Sequence, residues 1–369
     1  MQNIKLLTKK EEIEFFLKSL ISSKVISIDI EFMRRNTFFP EPCVIQISDG
    51  KSHACIDLTL EINYKNIFKK IFDNDKTIVL HSCRQDLEIL YMILGYIPEN
   101  IFDTQFAASF LGYKYQIGYA EIMSEMFEIE IDKTEKMTNW KKRPLTSSQI
   151  EYAINDVIYL NNLYENLKKK LIESKKINYY KEEFENYVKD IEWEPDTDKA
   201  WKKIKSIKGL NKIAGHAAKK ISVWREKKAI SLNLPRKWIL SEKEIVDIAK
   251  KFSLSNKINL PRNNKILNIE KDSIEILSNI KNASVIENYD DDSRVKIKNN
   301  SEYKKIIDDL YEYYKLVAIK NDISYQIISP KKMILSYLKN NDKKSRLING
   351  WRKDLIDINI VQSITKDFF

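Results

Sequence analysis

Four carboxylates in three separated segments are the residues of this chain best suited to hold metal ions. Asp29 and Glu31 lie in VISIDIEF, Asp86 lies in LHSCRQDLEIL, and Asp156 follows Tyr152 in QIEYAINDVIYL. Hard divalent cations such as Mg²⁺ prefer oxygen ligands, and two of them about 3.5–4 Å apart can clamp the attacking and leaving oxygens of an in-line displacement. The set therefore predicts a metal-dependent hydrolase of phosphodiester bonds.

The local spacing of two residue pairs brings their side chains to a common face. Asp29 and Glu31 are two residues apart on a predicted strand, so they project together about 6.6 Å apart. Tyr152 and Asp156 are four residues apart on a predicted helix, so the phenol can reach the same place as the carboxylate. Each pair alone also fits a solvated strand or an ordinary helix surface.

Asp86 is placed by a different local pattern. Ser82 and Gln85 form an S-x-x-Q sequence, which predicts a capping box and a helix beginning after Ser82. A carboxylate in the first turn of a helix can serve simply as a favourable N-terminal charge, and by itself this interpretation is as good as catalysis. The order and context of all the acids must therefore decide whether Asp86 has a structural or a catalytic role.

The first 170 residues alternate strand-like and helix-like patterns, which is typical of an α/β domain. The predicted strands are Lys24–Ile30, Cys43–Ser48, Ser52–Asp57 and Thr77–Leu80. Short turns join the first three strands, so we expect an antiparallel meander. The predicted helices are Gln85–Leu94 and a long helix from Ser147 to about Ser174, which begins after a capping box of Thr146 and Gln149.

The remainder of the chain predicts helical domains. An acidic, proline-containing linker, EWEPDTDKAW, precedes segments with apolar residues at helical spacing, and the polar stretch at 281–300 predicts a second linker before another helical block. We expect an α/β domain at 1–190, an all-α domain at 197–272 and a second all-α domain at 300–369.

Net charge differs between the two halves of the chain. Residues 1–190 hold 26 Lys and Arg against 29 Asp and Glu, a net charge of −3, whereas residues 191–369 hold 37 against 24, a net charge of +13. The stretch 201–240 alone has 12 basic residues and one acid, Glu226. Such asymmetry favours a nucleic-acid partner for the C-terminal half, although a lysine-rich solvated surface would look the same.

Composition also indicates the class and location of the protein. Cys43, Cys55 and Cys83 form no CxxC pair, so we expect buried thiols rather than disulfides or a zinc cluster. The apolar runs are far shorter than the roughly 20 residues of a membrane span, and the N-terminal residues lack the pattern of a signal peptide. We expect a cytoplasmic protein with no membrane partner.

The order of the motifs resembles that of the DEDD exonucleases, in particular their tyrosine-bearing subclass. The segments DIEFMRRNTFFPEPCVIQISDG, LHSCRQDLEIL, IFDTQFAASFLGY, GYAEIMSEMF and DKTEKMTNWKKRPLTSSQIEYAINDVIYL are similar to bacterial ribonuclease D over most of residues 20–165. The helical region from 197 onward resembles an HRDC domain, and LINGWRKDLI is similar to the second HRDC-like module of the same family.

Two positions bear on the subclass. Ile30 stands where the family usually has threonine, but its side chain points to the strand face opposite the acids. Glu151 occupies the place where the histidine-bearing subclass would have its histidine. The tyrosine-bearing subclass is therefore favoured.

This resemblance implies a ribonuclease H-like exonuclease domain, with a mixed sheet flanked by helices, followed by two HRDC-type domains. It implies that Asp29, Glu31, Asp86 and Asp156 hold two Mg²⁺ or Mn²⁺ ions. Tyr152 would orient the attacking water, since a phenol with an ordinary pKa near 10 is a poor base at neutral pH. The expected product is a nucleoside 5′-monophosphate released from a 3′ end.

Substrate contacts are expected in three places. Near the acids, Phe32 could stack on the terminal base or belong to the core, and His81 could lie at the site or be structural. In the segment 133–143, Trp140 would offer a stacking surface and Lys141, Lys142 and Arg143 phosphate contacts. In the helical region, the candidates are Lys202, Lys203 and Lys212.

The leading hypothesis is a monomeric 3′→5′ exoribonuclease that matures tRNA precursors and other small structured RNAs, with no obligatory protein partner. A DNA 3′ exonuclease of repair or proofreading is the nearest alternative, because the same metal ligands cleave either backbone. A catalytically silent RNA-binding scaffold is the alternative from another class. Comparing turnover on matched RNA and DNA strands discriminates the exoribonuclease from the DNA exonuclease. Loss of metal-dependent nucleotide release on changing Asp29 would exclude the silent scaffold.

Overall fold

The computed structural model of the chain describes residues 6–72, 75–132, 134–135, 138–281, 301–340 and 342–366. Residues 282–300 of the predicted second linker lie outside the described residues. Contacts divide the chain into two compact units. The first unit comprises the described residues of 1–33, 42–191 and 295–369, and the second unit those of 34–41 and 192–294. The C-terminal helices thus pack with the first predicted domain, and the three domain boundaries stay a prediction.

A six-stranded mixed sheet forms the centre of the first unit. Its strands are β1 (Leu6–Leu7), β2 (Val25–Met33), β3 (Glu41–Ser48), β4 (His53–Asp57), β5 (Thr77–Leu80) and β6 (Ile101–Asp103). Their order is β1-β4-β3-β2-β5-β6. Strand β3 is antiparallel to β4, whereas β1 runs parallel to β4, β2 to β5 and β5 to β6.

All four predicted strands are present. Strand β2 extends three residues beyond its predicted end at Ile30, through Glu31 and Phe32 to Met33. Strands β1 and β6 were not predicted, since runs of two and three residues carry too little periodicity to recognise. The mixed sheet predicted by the family resemblance is confirmed.

Helices surround the sheet and make up the second unit. In the first 191 residues they are α1 (Lys10–Ser19), α2 (Tyr64–Phe72), α3 (Arg84–Leu94), α4 (Thr104–Ala108), α5 (Tyr119–Phe127), α6 (Ser147–Ile158), α7 (Leu160–Glu173) and α8 (Ile177–Lys189). The second unit contains α9 (Lys212–Ser231), α10 (Arg236–Ile239), α11 (Glu242–Ser255) and α12 (Ile269–Lys281). The C-terminal part of the first unit contains α13 (Ser301–Lys320), α14 (Tyr325–Ile328), α15 (Lys331–Asn340) and α16 (Ile358–Thr365).

The described residues also form short 3₁₀ helices at Ser109–Leu111, Thr197–Lys203, Lys205–Gly209 and Gly350–Asp354. The single long helix predicted from Ser147 is wrong, because α6 ends at Ile158 and α7 begins at Leu160, with a turn at Tyr159 (φ −98°, ψ −5°) between them. This break lets α6 and α7 follow different parts of the curved sheet.

A buried arginine ties the C-terminal helices to α8. The guanidinium of Arg352 is 1% exposed and donates two hydrogen bonds to the Glu183 carboxylate, at 2.7 and 2.8 Å. It also donates to the carbonyls of Ile327 and Ile328. A fully paired guanidinium of this kind recovers the free energy lost when the charge leaves water.

Close packing surrounds this ion pair. The indole of Trp351 donates to Glu183 at 2.8 Å and its ring lies 5.3 Å from that of Phe110. Gly350 has a φ of +63°, and a Cβ there would collide with Glu182. The predicted helical segment LINGWRKDLI is therefore partly a 3₁₀ turn that inserts its Trp-Arg pair against α8.

Among the helices that the structure describes, none combines the length and apolar character that a bilayer crossing requires.

The Arg352–Glu183 pair should contribute strongly to the stability of the first unit. We expect Arg352→Ala to lower the free energy of unfolding by about 3–5 kcal/mol, because it removes the positive charge beside the Glu183 carboxylate and the donor to two carbonyls. Arg346→Ala is the matched control, since Arg346 pairs with Asp190 on an exposed surface and should lose less than about 1 kcal/mol. Urea unfolding followed by circular dichroism measures both, and equal losses would contradict this assignment.

Candidate active site

The carboxyl ends of three parallel strands meet at one edge of the sheet. Asp29 and Glu31 lie in the second half of β2, His81 follows the last residue of β5, and Asp103 is the last residue of β6. Because β2, β5 and β6 are parallel neighbours, side chains that leave their carboxyl ends are brought together. This edge collects the acids that are far apart in the sequence.

Three of the predicted acids form one compact group. Carboxylate oxygens of Asp29, Glu31 and Asp156 all lie within 4.8 Å of one another, and the three side chains are half-buried. Asp156 reaches the group because α6 packs against β2 and β4. The predicted capping box is confirmed: Thr146 accepts from the Gln149 N–H, and the Gln149 side chain accepts from the Thr146 N–H.

Asp86 lies beside this group rather than in it. Its carboxyl, in the first turn of α3, is 7% exposed. Burial raises its pKa well above the ordinary value, and the negative charges of Asp29, Glu31 and Asp103 raise it further. The fourth acid is thus close enough to feel the charges of Asp29 and Glu31.

Asp103 fixes the turn between β5 and α3, the helix that carries Asp86. One carboxylate oxygen accepts from the N–H groups of Ser82 (3.2 Å) and Phe106 (3.0 Å), and the other accepts from the N–H of Cys83 (2.8 Å). One buried side chain therefore caps α4 and also fixes the turn that leads from β5 into α3.

The capping box predicted for Ser82 and Gln85 is wrong. Ser82 adopts a left-handed φ of +63°, and α3 begins at Arg84 with no side-chain cap from its own segment. The N–H of its N-cap residue, Cys83, is satisfied instead by Asp103, 20 residues further along the chain. Sequence reasoning missed this role, although an aspartate directly before a short helix is a recognisable N-cap.

Tyr152 touches the acid group through its hydroxyl. The phenol is hydrogen-bonded to Asp156, and burial raises its pKa, with the charges of Asp156, Glu31 and Asp29 adding to the shift. The hydroxyl therefore stays protonated at neutral pH and acts as a donor. The Trp140 ring packs behind it, with ring centroids 6.0 Å apart.

The charge of the site is poorly compensated by the protein itself. Burial raises the pKa of Asp29 from its ordinary value to about 6. Burial also raises the pKa of the Cys55 thiol, and the charges of Asp29 and Glu31 raise it further. Clustered, half-buried carboxylate oxygens are a donor set that fits a hard divalent cation, which would supply the missing positive charge.

Two predicted substrate contacts have structural partners instead. Trp140 is 1% exposed and belongs to a buried cluster with Cys43, Cys55 and Ala153, so no face is open for a base. Arg143 donates two hydrogen bonds to the Asp57 carboxylate, at 2.7 and 2.6 Å.

Arg143 also donates to the carbonyls of Cys43 and Trp140, which anchors the loop to the sheet. We therefore correct both predictions: Trp140 supports Tyr152, and Arg143 fastens the segment. Lys141 and Lys142 are exposed, and Lys133 lies outside the described residues.

His81 is committed to internal hydrogen bonds. Its Nδ1 lies 2.9 Å from the Thr104 hydroxyl and its Nε2 lies 3.0 Å from the Ile117 carbonyl. Burial lowers its pKa. These contacts join β5 to the segment before α5 and leave neither ring nitrogen for a substrate.

Two aromatic side chains lie near the acids. Phe32 is half-buried on the opposite face of β2 from Glu31. Tyr119, which sequence reasoning did not select, packs against His81 with ring centroids 5.5 Å apart and donates to the Asn155 carbonyl. The charges of Asp156 and Asp29 add to the burial that raises its pKa, so its hydroxyl is near the acid group.

The predicted lysine contacts of the helical region belong to the second unit. Lys202 and Lys203 are exposed on the 3₁₀ helix Thr197–Lys203, and Lys212 is exposed at the start of α9. Their role in substrate binding stays a prediction.

Comparison with known proteins gives a consistent pattern. A family model described as 3′-5′ exonuclease matches residues 4–172. Ribonuclease D of Bartonella henselae is 34% identical over 248 residues, which cover 67% of this chain and 61% of that relative. Ribonuclease D of Desulfotalea psychrophila is 31% identical over 252 residues, which cover 68% of this chain and 67% of that relative.

A solved structure shares the fold of nearly the whole chain. Escherichia coli RNase D, an exoribonuclease involved in structured RNA processing, matches with a TM-score of 0.83 and 23% identity, covering 99% of both chains. The sequence matches themselves span about three fifths of the length of the first relatives, for example 61% and 59%.

The raised pKa of Asp29 predicts how the metal-free protein responds to pH. Between about pH 4 and pH 6 the native state binds more protons at Asp29 than the unfolded state, so this residue's contribution to stability falls as pH rises. In EDTA, Asp29→Asn should therefore be more stable than the parent at pH 7, by about 2 kcal/mol, and the difference should shrink toward pH 4.

Asp49→Asn is the control of opposite sign. Burial opposes ionisation of Asp49, but hydrogen bonds from Ser52, Ser23 and Lys51 lower its pKa. Its carboxylate stabilises the fold above the ordinary pKa, so Asp49→Asn should be less stable than the parent at pH 7. Urea unfolding at each pH measures these differences, and a destabilised Asp29→Asn at pH 7 would refute the charge argument.

The Asp103 contacts predict an effect on metal binding through Asp86. We expect Asp103→Asn to lower stability by about 1–3 kcal/mol and to weaken Mn²⁺ binding, because an amide cannot accept from all three N–H groups. Asp132→Asn is the control, since Asp132 accepts from Thr134 in an exposed turn. Isothermal titration with Mn²⁺ measures the affinity, and unchanged affinity in a folded Asp103→Asn would restrict Asp103 to a stabilising role.

Proposed function

The chain belongs to the ribonuclease D family, and on this premise we propose that it is a 3′→5′ exoribonuclease that releases nucleoside 5′-monophosphates from RNA. The observation that carries the proposal is the group formed by Asp29, Glu31 and Asp156, with the Tyr152 hydroxyl hydrogen-bonded to it. These side chains come from a strand and a helix far apart in sequence, and they converge at the carboxyl edge of the sheet.

The four carboxylates would hold two divalent cations, Mg²⁺ or Mn²⁺. Such cations would supply Lewis-acid chemistry when bound, since they neutralise charge on the scissile phosphate and lower the pKa of an attacking water. Carboxylate oxygens of Asp29, Glu31 and Asp156 are already within 4.8 Å of one another, and Asp86 feels the charges of Asp29 and Glu31. Little movement is needed to gather all four around the reacting phosphate.

Tyr152 would orient the attacking water. Its raised pKa keeps the hydroxyl protonated, so it cannot serve as the base at neutral pH. Its hydrogen bond to Asp156 and the Trp140 ring behind it limit its rotation. A hydroxyl held in this way can accept from, and so direct, a water placed against the phosphate.

Substrate contacts are proposed for exposed or half-buried groups only. Lys141 and Lys142 would contact phosphates of the incoming strand. Stacking of Phe32 on the terminal base stays a prediction, because its side chain lies on the face of β2 opposite Glu31. Lys202, Lys203 and Lys212 on the second unit would add sequence-independent affinity, which suits an HRDC-type domain.

We propose precursor tRNA and other small structured RNAs with a free 3′ end as substrates. The Escherichia coli protein of the same fold is described as acting on structured RNA. A basic C-terminal half joined to an acidic nuclease domain supports this, because the basic surface can hold a folded RNA while its 3′ tail reaches the acids. A monomer acting in the cytoplasm, without an obligatory protein partner, completes the proposal.

Hydrolysis of a 3′-extended precursor tRNA in Mg²⁺ tests the function. The parent should release nucleoside 5′-monophosphates, Asp29→Asn should fall to background, and Tyr152→Phe should lose about 10–100-fold in kcat with little change in KM. Tyr113→Phe is the matched control, because its hydroxyl accepts from Lys170 on an exposed surface.

A DNA strand of the same sequence forms the second arm. Faster turnover of DNA would overturn the choice of RNA. If neither the RNA strand nor the DNA strand releases nucleotides in the presence of metal, the result would favour the catalytically silent scaffold. Full activity of Tyr152→Phe would remove the role given to the phenol.

A further inference from the structure

A glutamine side chain is buried without hydrogen bonds in the sheet of the first unit. Gln46 lies in the second half of β3, between Ile45 and Ile47, and is 0% exposed. Neither its Oε1 nor its Nε2 has a hydrogen-bond partner among the described residues. A carboxamide has an acceptor and two N–H donors, and burying these groups unpaired costs free energy that an apolar side chain would not cost. Stability of the metal-free fold therefore gives no reason for a glutamine here.

The side chain of Gln46 lies on the face of the sheet that α6 covers. Gln46 is directly opposite Cys55 of β4, and residues opposite each other in an antiparallel pair project to the same face. The Cys55 thiol lies 4.0 Å from the carbonyl of Ile150 in α6. Val44, two residues before Gln46 and so on the same face, belongs to one buried cluster with Ala153 of α6. The amide therefore projects toward α6.

The acids lie on this same face. Helix α6 packs against both β2 and β4, and β3 lies between these two strands, so α6 crosses β3. The helix carries Asp156, whose carboxylate is grouped with those of Asp29 and Glu31 on β2. Burial raises the pKa of the Cys55 thiol, and the charges of Asp29 and Glu31 raise it further, so these charges act across β3. Gln46 thus lies under α6, between the strand that carries two of the acids and the strand that carries Cys55.

A neutral donor suits this position. An ionised carboxylate has about four acceptor positions, so Asp29 and Glu31 can bind a cation and still accept from a protein donor. Such donors hold the side chains that bind a metal in their binding orientation. A lysine or arginine in place of Gln46 would also donate, but its positive charge would compete with the cations for the same acids. An amide provides the donor without that competition.

We propose that Gln46 is a positioning residue of the metal site, and that its amide N–H donates to a carboxylate of Asp29 or Glu31 when cations are bound there. The inference rests on the proposed function for the presence of those cations. The amide then gains a partner that it lacks in the metal-free fold. The free energy lost by burying it unpaired is recovered on binding, which makes the metal affinity depend on this residue.

Thermal unfolding in EDTA gives the first test. Gln46→Met replaces the amide by an apolar side chain of about the same length, so the midpoint of unfolding should rise by about 2–4 °C. Gln105→Met is the matched control, since the Gln105 amide donates to the Ile117 carbonyl at 3.0 Å and its loss should lower the midpoint. A lower midpoint for Gln46→Met would mean that the amide is already paired without metal, and would overturn the inference.

Isothermal titration with Mn²⁺ gives the second test. Gln46→Met should bind Mn²⁺ about tenfold more weakly than the parent, whereas Gln105→Met should stay within about twofold. Gln46→Leu should behave like Gln46→Met, which excludes an effect of the methionine sulfur. Equal affinities of the parent and Gln46→Met would overturn the inference.

Hydrolysis of a short RNA distinguishes positioning of the metal site from general damage. At limiting Mn²⁺, Gln46→Met should turn over about tenfold more slowly than the parent, and a higher Mn²⁺ concentration should restore most of this loss. A loss that excess Mn²⁺ does not relieve would show that Gln46 does not act through metal binding, and would overturn the inference.

The Mn²⁺ titration also separates failure of this inference from failure of the proposed function. Mn²⁺ binding and hydrolysis that are equal in the parent and in Gln46→Met would reject the role of Gln46 alone. Absence of Mn²⁺ binding by the parent would reject the proposed function and, with it, the role of Gln46.

Discussion

Repulsion among carboxylates is the constraint on which the first unit depends. Carboxylate oxygens of Asp29, Glu31 and Asp156 lie within 4.8 Å of one another, and the buried Asp86 feels the charges of Asp29 and Glu31. No folding requirement favours such an arrangement, because half-buried like charges raise one another's pKa values and destabilise the ionised state. The scaffold must therefore supply enough free energy elsewhere to hold the acids in place until cations join them.

Several contacts supply this stability close to the acids. The Asp103 carboxylate satisfies three N–H groups at the start of two helices, and the Tyr180 hydroxyl accepts from the N–H of Asp103 itself. The Thr146 and Gln149 capping box begins the helix that carries Tyr152 and Asp156. The helices that carry Asp86 and Asp156 are thus fixed at their first residues by side-chain hydrogen bonds, whereas Asp29 and Glu31 are placed by the pairing of β2 within the sheet.

The basic half of the chain has two different uses of positive charge. Arg352 and Lys228 pair with buried or half-buried carboxylates, so they stabilise the fold. Among the described residues, Lys220 and Lys227 have no acidic partner, and both line a cavity beside α9 in the second unit. A count of basic residues therefore overestimates the number of positive charges available to bind RNA. Only those basic side chains that have no acidic partner within the protein remain available.

The sequence by itself determined the elements and the chemistry. Alternating apolar residues identified the main strands, the Thr146 and Gln149 pattern began α6, and Asp29, Glu31, Asp86, Tyr152 and Asp156 were chosen from residue type and order. These features depend on neighbours within a few positions, where periodicity and capping act. Only the tertiary structure decided that Asp103 caps α3 across 20 residues, that Trp140 and Arg143 face inward, and that Arg352 joins the C-terminal helices to α8. The physical reason is that burial and ion pairing depend on which distant residue occupies the adjacent space, and local sequence carries no record of that partner.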